Sequence, residues 1–432
     1  MYSFNNNATT LTTELCRGLY SLLFSLLLPL FFLSWLGRLI LGKQTVEWRR
    51  IQRFGIHLPK QTNTETLLIH CVSMGEVTAA SHLIEVLLEQ NPSLSVVVST
   101  TTTSGAQQVN TIFADRVQHC YLPYDVPLLT RWFLYKIQPQ QVLITEVELW
   151  PNLVNLCWRK HIPVSVINAR MTARSMKQYQ RIKALFNPML HQLNKVCAQG
   201  QRDFDHYCQL GIAADKLHLT GNMKFDLEVG KLEQQAPIFD NNVLKQRFVL
   251  IAGSTHEPEE QLLLAATQQL LKSIPELLLI IVPRHPQRFE ETFTLCQQSQ
   301  LNTARFSSQQ PLDQKTKVLL VDAIGVLKQL YALADVAFVG GSIAHRGGHN
   351  PLEAAAFSVP ILMGPSQHNN PEICSTLADV GALKDVAEQQ DIITQVEYWY
   401  ANSDVRQSAG LAGQQILHDN AGATQKTLSL LF

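Results

Sequence analysis

The sequence predicts an α/β protein with two consecutive domains, each built on a doubly wound parallel sheet. From about Leu67 onward, short apolar runs alternate with helical stretches, which is the pattern of βαβ units. The alternation stops between residues 229 and 242 and then resumes. In this interval the residues are mainly polar and show neither a helical nor a strand periodicity. A chain of 432 residues is also long enough for two such domains.

The expected strands are short and apolar, as strands that are buried on both faces should be. In the first domain we expect strands at 67–71, 94–99, 142–145, 164–167, 196–198 and 217–220. In the second domain we expect strands at 248–253, 277–282, 318–321, 336–339 and 360–363. The final segment, 410–432, is expected to be helical and to pack back across the linker.

These patterns divide the chain into four parts. We expect an N-terminal membrane anchor at 1–45, a first domain at 46–230, a linker at 231–244 and a second domain at 245–432, whose last helix packs back on the first domain. Ligands of doubly wound sheets bind outside the carboxyl ends of the strands. The expected binding site is therefore a cleft in which the two domains face each other.

Charge and cysteine content exclude several classes of partner. Lysine plus arginine and aspartate plus glutamate are equal at 35 each, so no overall basic field exists to hold nucleic acid, and we expect no nucleic-acid partner. The eight cysteines are scattered, without a C-x-x-C pair or zinc-type spacing. This pattern indicates reduced core thiols in a cytoplasmic domain.

The N-terminal segment is apolar enough to enter a membrane. Residues 18–37 form a stretch of about twenty residues without a charge, long enough to cross a bilayer. Basic residues follow it, beginning with Arg38, and the positive-inside rule places that flank in the cytoplasm. We expect a single-pass anchor with the catalytic domains on the cytoplasmic side. The alternative is a helix that lies in the membrane interface, which Pro29 and Trp35 permit.

Glu76 is a candidate general base. It lies in a glycine-containing turn, VSMGEVTAA, directly after the first expected strand and at the start of a helix. A carboxylate at this place can remove a proton from an attacking hydroxyl. The alternative is a glutamate that caps the positive end of the helix, and the sequence favours neither interpretation. Ser73 and Gly75 in the same turn are candidate substrate contacts.

Other polar groups of the first domain also follow expected strands. Ser104 in the TTTTSGA loop is a candidate contact for a sugar or an acidic group, although ordinary helix N-capping explains the same loop. TEVELWPN places Glu146 and Glu148 after a strand, and in extended backbone they would point to opposite sides, so that at most one faces a ligand. Cations suited to phosphate or carboxylate groups follow later strands, at Arg170, Arg174 and Lys224.

The second domain has loops suited to a nucleotide. Glycines in GGSIAHRGGHNPLE let the backbone approach a ligand closely, and Glu353 can accept hydrogen bonds from ribose hydroxyls. His345 and His349 lack an H-E-x-x-H frame, so we expect no metal site. The candidate contacts of this domain are Ser254, Pro283, Arg284, Ile324, Gly325, Val326, Gly341, Ser342, Asn350, Pro351, Leu352 and Glu353.

Ten segments in order resemble the Kdo transferases of Gram-negative lipopolysaccharide synthesis, which belong to the GT-B superfamily of glycosyltransferases. Kdo is 3-deoxy-D-manno-octulosonic acid, an acidic sugar. The segments span nearly the whole chain: HCVSMGE, TTTTSGA, YLPYD, EVELWPN, INARMTARS, GNMKFD, AGSTHEPEE, VPRHPQR, DAIGV and GGSIAHRGGHNPLEAA. The sequence departs from the family at Val147, where threonine is usual, and both neighbouring glutamates are kept.

The resemblance implies an inverting transferase that moves Kdo from CMP-Kdo to lipid IVA, the lipid A precursor, at the inner membrane and without a metal or other cofactor. Glu76 matches the general base of the family. Glu146 and Lys224 look like the positions that support the transition state around the donor sugar. The loops with Pro283 and Arg284, with residues 324–326 and with residues 350–353 are similar to the CMP-binding loops.

Two alternatives stay open. Another GT-B enzyme, such as a lipid A disaccharide synthase or a nucleotide-sugar 2-epimerase, would use a UDP nucleotide in place of a CMP nucleotide. A noncatalytic, membrane-tethered binding protein on the same scaffold would not need Glu76 and Lys224, and the presence of both argues against that class.

Overall fold

The computed structural model describes residues 11–41, 48–60, 65–226, 244, 246–309 and 312–432. Contacts divide the chain into two compact units. The first comprises Met1–Asp226 together with Ala421–Phe432, and the second comprises Leu227–Asn420. Apart from Leu244, the expected linker at 231–244 lies outside the described residues.

The described part of the first unit contains a seven-stranded sheet in which neighbouring strands run parallel. The order across the sheet is third, second, first, fourth, fifth, sixth, seventh. The strands are β1 (Thr66–His70), β2 (Ser95–Thr100), β3 (Gln118–Tyr121), β4 (Gln141–Thr145), β5 (Val164–Ala169), β6 (Lys195–Ala198) and β7 (Leu217–Leu219).

The described helices before β7 are α1 (Leu11–Ile40), α2 (Met74–Gln90), α3 (Thr103–Phe113), α4 (Pro127–Ile137), α5 (Pro151–Arg159), α6 (Ala173–Arg181), α7 (Lys183–Gln192) and α8 (Gln201–Gln209). The helix α1 precedes the first strand, and the helices α2 to α8 lie between strands, as parallel pairing requires. Short 3₁₀ helices lie at Trp48–Phe54, Ala114–Arg116 and Met223–Phe225.

Both faces of the first sheet are covered. Successive side chains of a strand point to opposite faces, and in β1 Leu68 belongs to one buried hydrophobic cluster while Leu67 and Ile69 belong to another. Because both faces bury apolar side chains, the central strands read as continuous apolar runs. Polar side chains are thereby concentrated in the loops that follow the strands.

The described part of the second unit contains another parallel sheet of seven strands. The strands are β8 (Phe248–Thr255), β9 (Leu277–Pro283), β10 (Thr303–Arg305), β11 (Val318–Leu320), β12 (Val336–Val339), β13 (Ile361–Met363) and β14 (Leu383–Asp385), ordered β10-β11-β9-β8-β12-β13-β14. Its helices are α9 (Glu259–Leu270), α10 (Phe289–Gln298), α11 (Leu327–Tyr331), α12 (Leu352–Ala355), α13 (Pro371–Asp379), α14 (Gln389–Ala401) and α15 (Ser403–Asp419), with 3₁₀ helices at Pro286–Arg288 and Phe306–Ser308.

Each strand expected from the sequence is present, with its ends within two residues of the expected positions. The expectation missed β3, β10 and β14. All three are sheet-edge strands, where one neighbour is absent and polar residues are tolerated. Their sequences, QHCY, TAR and LKD, therefore lack the apolar run by which the inner strands are recognised.

The expected helical structure over 410–432 is present as two helices. The helix α15 ends at Asp419, and a separate helix, α16 (Ala423–Leu431), follows Gly422, whose φ of 95° interrupts the helical backbone. Asp226 fixes the start of α16 by accepting hydrogen bonds from the backbone N–H groups of Gly422 and Thr424 at 2.6 and 2.5 Å. Through Ala423, Leu428 and Leu431, α16 packs into a hydrophobic cluster of the first unit.

The N-terminal helix α1 is apolar and thirty residues long. Among the described residues it is the one helix that is long and apolar enough to cross a membrane, with a mean hydropathy of 2.0 over its most apolar stretch. Ser21 is its one buried residue. Contacts with α5 and α7 join α1 to the first unit.

Candidate active site

The candidate catalytic groups of the first unit meet at the carboxyl end of its sheet. Glu76 follows β1, Glu146 and Glu148 follow β4, Arg170 follows β5 and Lys224 follows β7. Because all these strands run parallel, the loops after them lie at one edge of the sheet. The topology thus brings together residues that are up to 148 positions apart, Glu76 and Lys224.

Glu76 is held firmly in the first turn of α2, where 8% of its surface is exposed. Its Oε2 accepts hydrogen bonds from the backbone N–H of Val72 at 2.9 Å and from the hydroxyl of Thr145 at 2.6 Å. Ser73 Oγ donates to Oε1 at 3.2 Å. Val72 precedes Ser73, the N-cap residue of α2, so the bond from Val72 differs from the capping-box contact, in which the N-cap N–H donates to the glutamate.

The proton affinity of Glu76 suits acid–base chemistry. The pKa of Glu76 is raised to about 7, chiefly by burial and in addition by the neighbouring carboxylates of Glu146 and Glu148. The hydrogen bonds from Thr145 and Val72 act in the opposite direction. A carboxyl group with this pKa can accept a proton near neutral pH and release it again.

The backbone after β4 is not extended, contrary to the expectation for Glu146 and Glu148. Glu146 has a φ of 57°, in the left-handed region, so the chain turns immediately after Thr145. The expected opposition of the two carboxylates depended on alternating side chains in an extended segment. In the structure both are near enough to Glu76 to raise its pKa.

Lys224 supplies positive charge beside these carboxylates. Its Nζ lies 4.0 Å from Oε1 of Glu146, and their side chains are 17% and 18% exposed. Burial and the nearby Arg170 lower the pKa of Lys224, whereas Glu146 and Glu76 raise it. The charge of Lys224 thus interacts with the carboxylates of Glu146 and Glu76.

A second cation in the first unit, Arg53, was expected only as part of the basic flank of the N-terminal segment. Its guanidinium stacks over the Tyr124 ring at 4.2 Å and lowers the pKa of Glu148, which burial raises. Thr145 was also missed as a site residue. Its position as the last residue of a strand was the available signal, but a buried strand threonine is ordinarily structural.

The other candidate contacts of the first unit differ in their surroundings. Thr102 caps α3 by accepting a hydrogen bond from Gly105 N at 3.1 Å, so the capping interpretation of this loop is confirmed for Thr102. Ser104 is exposed in the first turn of α3. Arg174 is exposed in the first turn of α6, and Gly75 is exposed next to Glu76.

In the second unit, several candidate contacts lie at the carboxyl ends of β8, β9 and β12. Ser254 has a φ of 56°, near the end of β8. Pro283 ends β9, and burial lowers the pKa of the following Arg284, whereas Glu353 raises it. Lys328 Nζ lies 3.7 Å from Oε1 of Glu353.

The remaining nucleotide-loop candidates form turns and a helix start. Gly325 has a φ of 86°, which a glycine adopts without strain, and Ile324 beside it is 68% exposed. Asn350 Oδ1 accepts a hydrogen bond from Leu352 N at 3.2 Å at the start of α12. Pro351 and Leu352 are buried, and Val326 is partly buried.

Gly341 and Ser342 have internal partners. Their backbone N–H groups, and those of Ile343 and Ala344, donate to the buried carboxylate of Glu259 at 2.9 to 3.2 Å. Ser342 Oγ donates to a backbone oxygen and accepts from a backbone N–H. The carboxylate of Glu259 thus accepts the backbone N–H groups of Gly341 and Ser342, two of the candidate contacts of the second domain.

Two imidazoles lie beside this loop. His256 Nε2 and His349 Nε2 are 3.0 Å apart, so one ring donates and the other accepts. Burial lowers the pKa of His256 to about 4 and of His349 to about 3, and nearby cations, Arg284 among them, act in the same direction. Both rings are therefore neutral at neutral pH.

Comparison with known proteins identifies the family of the chain. The family model for 3-deoxy-D-manno-octulosonic-acid transferase (kdotransferase) matches residues 48–227. A 3-deoxy-D-manno-octulosonic acid transferase from Haemophilus influenzae is 35% identical over 418 residues, covering 96% of this chain and 98% of that protein. The transferase from Bordetella pertussis is 31% identical over 430 residues, with coverages of 96% and 98%.

A solved structure shares the fold at low identity. The UDP-GlcNAc 2-epimerase from Neisseria meningitidis matches with a TM-score of 0.57 and 16% identity, over 85% of this chain and 99% of that one. Two doubly wound parallel sheets in one chain, together with this match, place the fold in the GT-B class. Within that class, the chain belongs to the Kdo transferase family and is a glycosyltransferase of lipopolysaccharide synthesis.

Proposed function

We propose that the chain transfers Kdo from CMP-Kdo to lipid IVA with inversion at the anomeric carbon, and that Glu76 is the general base. The observation that carries this proposal is the environment of Glu76, whose carboxyl group has a pKa of about 7 and lies with Lys224 and Glu146 at the carboxyl end of the sheet. Membership of the Kdo transferase family supports the proposal that the transferred sugar is Kdo.

In the proposed step, an acceptor hydroxyl gives its proton to Glu76 while its oxygen attacks the anomeric carbon of Kdo. The bond from that carbon to the CMP phosphate oxygen breaks, and CMP leaves with the electron pair. Lys224, held beside Glu146, is proposed to offset negative charge that develops around the donor sugar.

We further propose that the second unit binds CMP-Kdo through the loops after its strands. Arg284, which is partly buried, suits the phosphate or the Kdo carboxylate, and Glu353 suits the ribose hydroxyls. Exposed residues such as Ile324 are proposed to contact the nucleotide. Ser342 is left out of this proposed site because its hydrogen-bonding groups have partners within the protein.

The proposed location is the inner membrane, with both units on the cytoplasmic side. The lipid acceptor lies in the membrane and the nucleotide sugar is soluble, so attachment through α1 would confine the enzyme to the surface that holds its acceptor and raise the effective acceptor concentration. The apolar composition of α1 supports attachment.

The test is a transfer assay with purified protein, CMP-Kdo and tetraacylated lipid A precursor, read by mass spectrometry. The expected result is a mass gain of one or more Kdo units that requires CMP-Kdo. Absence of any gain, or processing of UDP-GlcNAc by the same preparation, would favour the UDP-dependent GT-B alternatives. A Glu89→Gln variant, with an exposed glutamate of α2 changed, is the matched control for Glu76→Gln.

A further inference from the structure

A row of exposed leucines runs along one face of α1. They recur every three or four residues, a spacing that places them on one side of a helix. Each is more than half exposed: Leu11, Leu15, Leu19, Leu22, Leu26, Leu30 and Leu33. This leucine face extends over almost the entire helix.

The opposite face of α1 is bonded to the first unit near the N-terminal end of the helix. Arg17 Nη1 and Ser21 Oγ both donate to Oδ1 of Asn152, at 3.2 and 3.0 Å. Glu14 forms an ion pair with Arg159 at 3.1 Å. These partners belong to α5, so the polar side of α1 is complementary to that helix.

A further bond joins α1 to a buried carboxylate. Tyr20 forms a side-chain hydrogen bond with Asp125, which is 2% exposed and accepts bonds from Asn152 N and Leu153 N at 2.8 and 2.9 Å. Because Asp125 also fixes the start of α5, Tyr20 is tied to a rigid part of the first unit.

Aromatic contacts hold the same face of α1 farther along the helix. The ring of Phe31 stacks on Tyr124 with centroids 4.9 Å apart. Phe32 and Trp35 both contact Phe54 of the 3₁₀ helix at Trp48–Phe54, with centroids 5.1 and 6.0 Å apart. The helix is therefore attached to the first unit from Glu14 to Trp35.

This attachment is incompatible with a helix that crosses a bilayer. The hydrocarbon core is about 30 Å thick and needs roughly 20 helical residues at about 1.5 Å each. Within α1, the part before Glu14 and the part after Trp35 are far shorter than that. Insertion of the attached part would carry the polar contacts of Arg17 and Asn152 into lipid, at a cost of several kcal/mol per charged group.

The helix α4 adds a second apolar surface. Leu128, Trp132 and Tyr135 are exposed at a spacing of four and three residues, on one side of the helix. Lys136 Nζ lies 4.6 Å from the centre of the Trp132 ring, and Arg131 is exposed beside it. Aromatic rings flanked by cations are typical of the headgroup region of a membrane.

The two surfaces are joined by the 3₁₀ helix at Trp48–Phe54. Phe54 contacts α1, and the next residue, Gly55, lies against Leu129 and Trp132 of α4. Both surfaces therefore border the segment that contains Phe54 and Gly55. We call the leucine face of α1 and the exposed side of α4 together the membrane face.

We propose that α1 lies along one leaflet with its leucines in the acyl region, and that α4 enters the headgroup region of the same leaflet. The chain is then attached to one side of the membrane without crossing it, in place of the single-pass arrangement expected from the sequence. The exposed Arg131 and the partly buried Lys136 of α4 match anionic phospholipid. The inference rests on the proposed membrane attachment and is independent of the transfer chemistry.

Accessibility of the two ends of α1 tests the orientation. Thr12→Cys and Leu41→Cys variants of the full chain are made with Cys16→Ala and Cys208→Ser, which remove the cysteines that are not buried. A membrane-impermeant maleimide is applied to intact spheroplasts and to inverted inner-membrane vesicles. Both variants should react in inverted vesicles only. Reaction of Thr12→Cys in spheroplasts, or in neither preparation, would overturn the proposal.

Fluorescence quenching tests the part that α4 plays. The full chain is reconstituted into vesicles of phosphatidylethanolamine and phosphatidylglycerol, with and without bromine in the acyl chains. Trp132→Phe should reduce the quenched part of the fluorescence, whereas Trp399→Phe, at a tryptophan buried in the second unit, should not. An unchanged quenched part in Trp132→Phe would remove α4 from the membrane face.

Kdo transfer in detergent micelles separates this inference from the proposed function. The labelling variants should retain transfer there, because their substitutions lie outside the candidate site. Loss of transfer in the unsubstituted chain would count against the proposed function alone. Labelling of the two ends of α1 from opposite sides would count against the membrane proposal alone.

Discussion

The hydroxyl of Thr145 lies 2.6 Å from Oε2 of Glu76 and 2.9 Å from the backbone oxygen of His70. A hydroxyl has one proton to donate and can also accept. When Glu76 is ionised, Thr145 donates to the carboxylate. When Glu76 is protonated, the carboxyl group can donate to Thr145, which then donates to His70. We infer that Thr145 is a positioning residue that can form a hydrogen bond with Glu76 in both protonation states of the carboxyl group.

Replacement of Thr145 should move the pH dependence of transfer. Thr145→Val removes a hydrogen bond that favours ionised Glu76, so the pKa of Glu76 should rise by about one unit, as loss of a charge-assisted bond of ~1.5 kcal/mol implies. The acidic limb of kcat/KM against pH should shift upward by the same amount. Thr145→Ser keeps the hydroxyl and should have the native pH profile. Identical pH profiles for Thr145→Val and the native protein would refute the positioning role of Thr145.

Lys224 should matter for the rate more than for binding. Lys224→Met removes the cation beside Glu146, and kcat should fall by about 10² to 10³, the range seen when one electrostatic contact to a transition state is lost. Lys177→Met, which changes an exposed lysine of α6, should leave kcat unchanged. A normal kcat with a raised KM for Lys224→Met would indicate a role in substrate binding only.

The buried carboxylate of Glu259 should stabilise the second unit. Glu259→Ala leaves four backbone N–H groups of residues 341–344 without their acceptor, and the free energy of unfolding should fall by about 3 kcal/mol or more. Thermal unfolding of the variant measures this. Glu257→Gln, at a glutamate side chain that is 65% exposed, should change stability little. Equal melting of Glu259→Ala and native protein would contradict the internal-anion role.

The strand pattern and the place of the candidate residues could be predicted from the sequence, because strands that are buried on both faces must be apolar and parallel sheets gather polar groups at one edge. The turn at Glu146 could not be predicted from the sequence, because nothing in TEVELW indicates that the glutamate adopts a left-handed φ. The hydrogen bond between Gly341 and Glu259 could not be predicted from the sequence either. Glu259 is distant from Gly341 in the sequence and lies in AGSTHEPEE, where Ser254 was itself a candidate contact.

Hydropathy alone predicted that the N-terminal helix spans the membrane. It could not predict the contacts between α1 and the first unit that argue against a membrane span. Arg17 and Glu14 lie before the uncharged stretch, and their bonds to α5 depend on how the first unit folds. Thr145 illustrates the same limit, because a strand threonine becomes a partner of Glu76 only when β1 and β4 pair.

Protonation of Glu76 should also be visible in stability. Burial raises its pKa to about 7, so the folded protein holds this proton where the unfolded chain has lost it, and the associated stability is lost as pH rises through about 7. Gln resembles the protonated group. The melting temperature of Glu76→Gln relative to native protein should therefore increase from pH 5 to pH 8. A difference that is constant over this range would mean that the pKa is not raised.

The most direct test of the general-base role is the rate of Kdo transfer by Glu76→Gln as a function of pH. The native rate should rise through an apparent pKa of about 7 and level off above it. The variant should be about 10² to 10⁴ slower and should lack that step, because its amide cannot accept the proton. A variant that retains the native rate and the native step would contradict the assignment of Glu76.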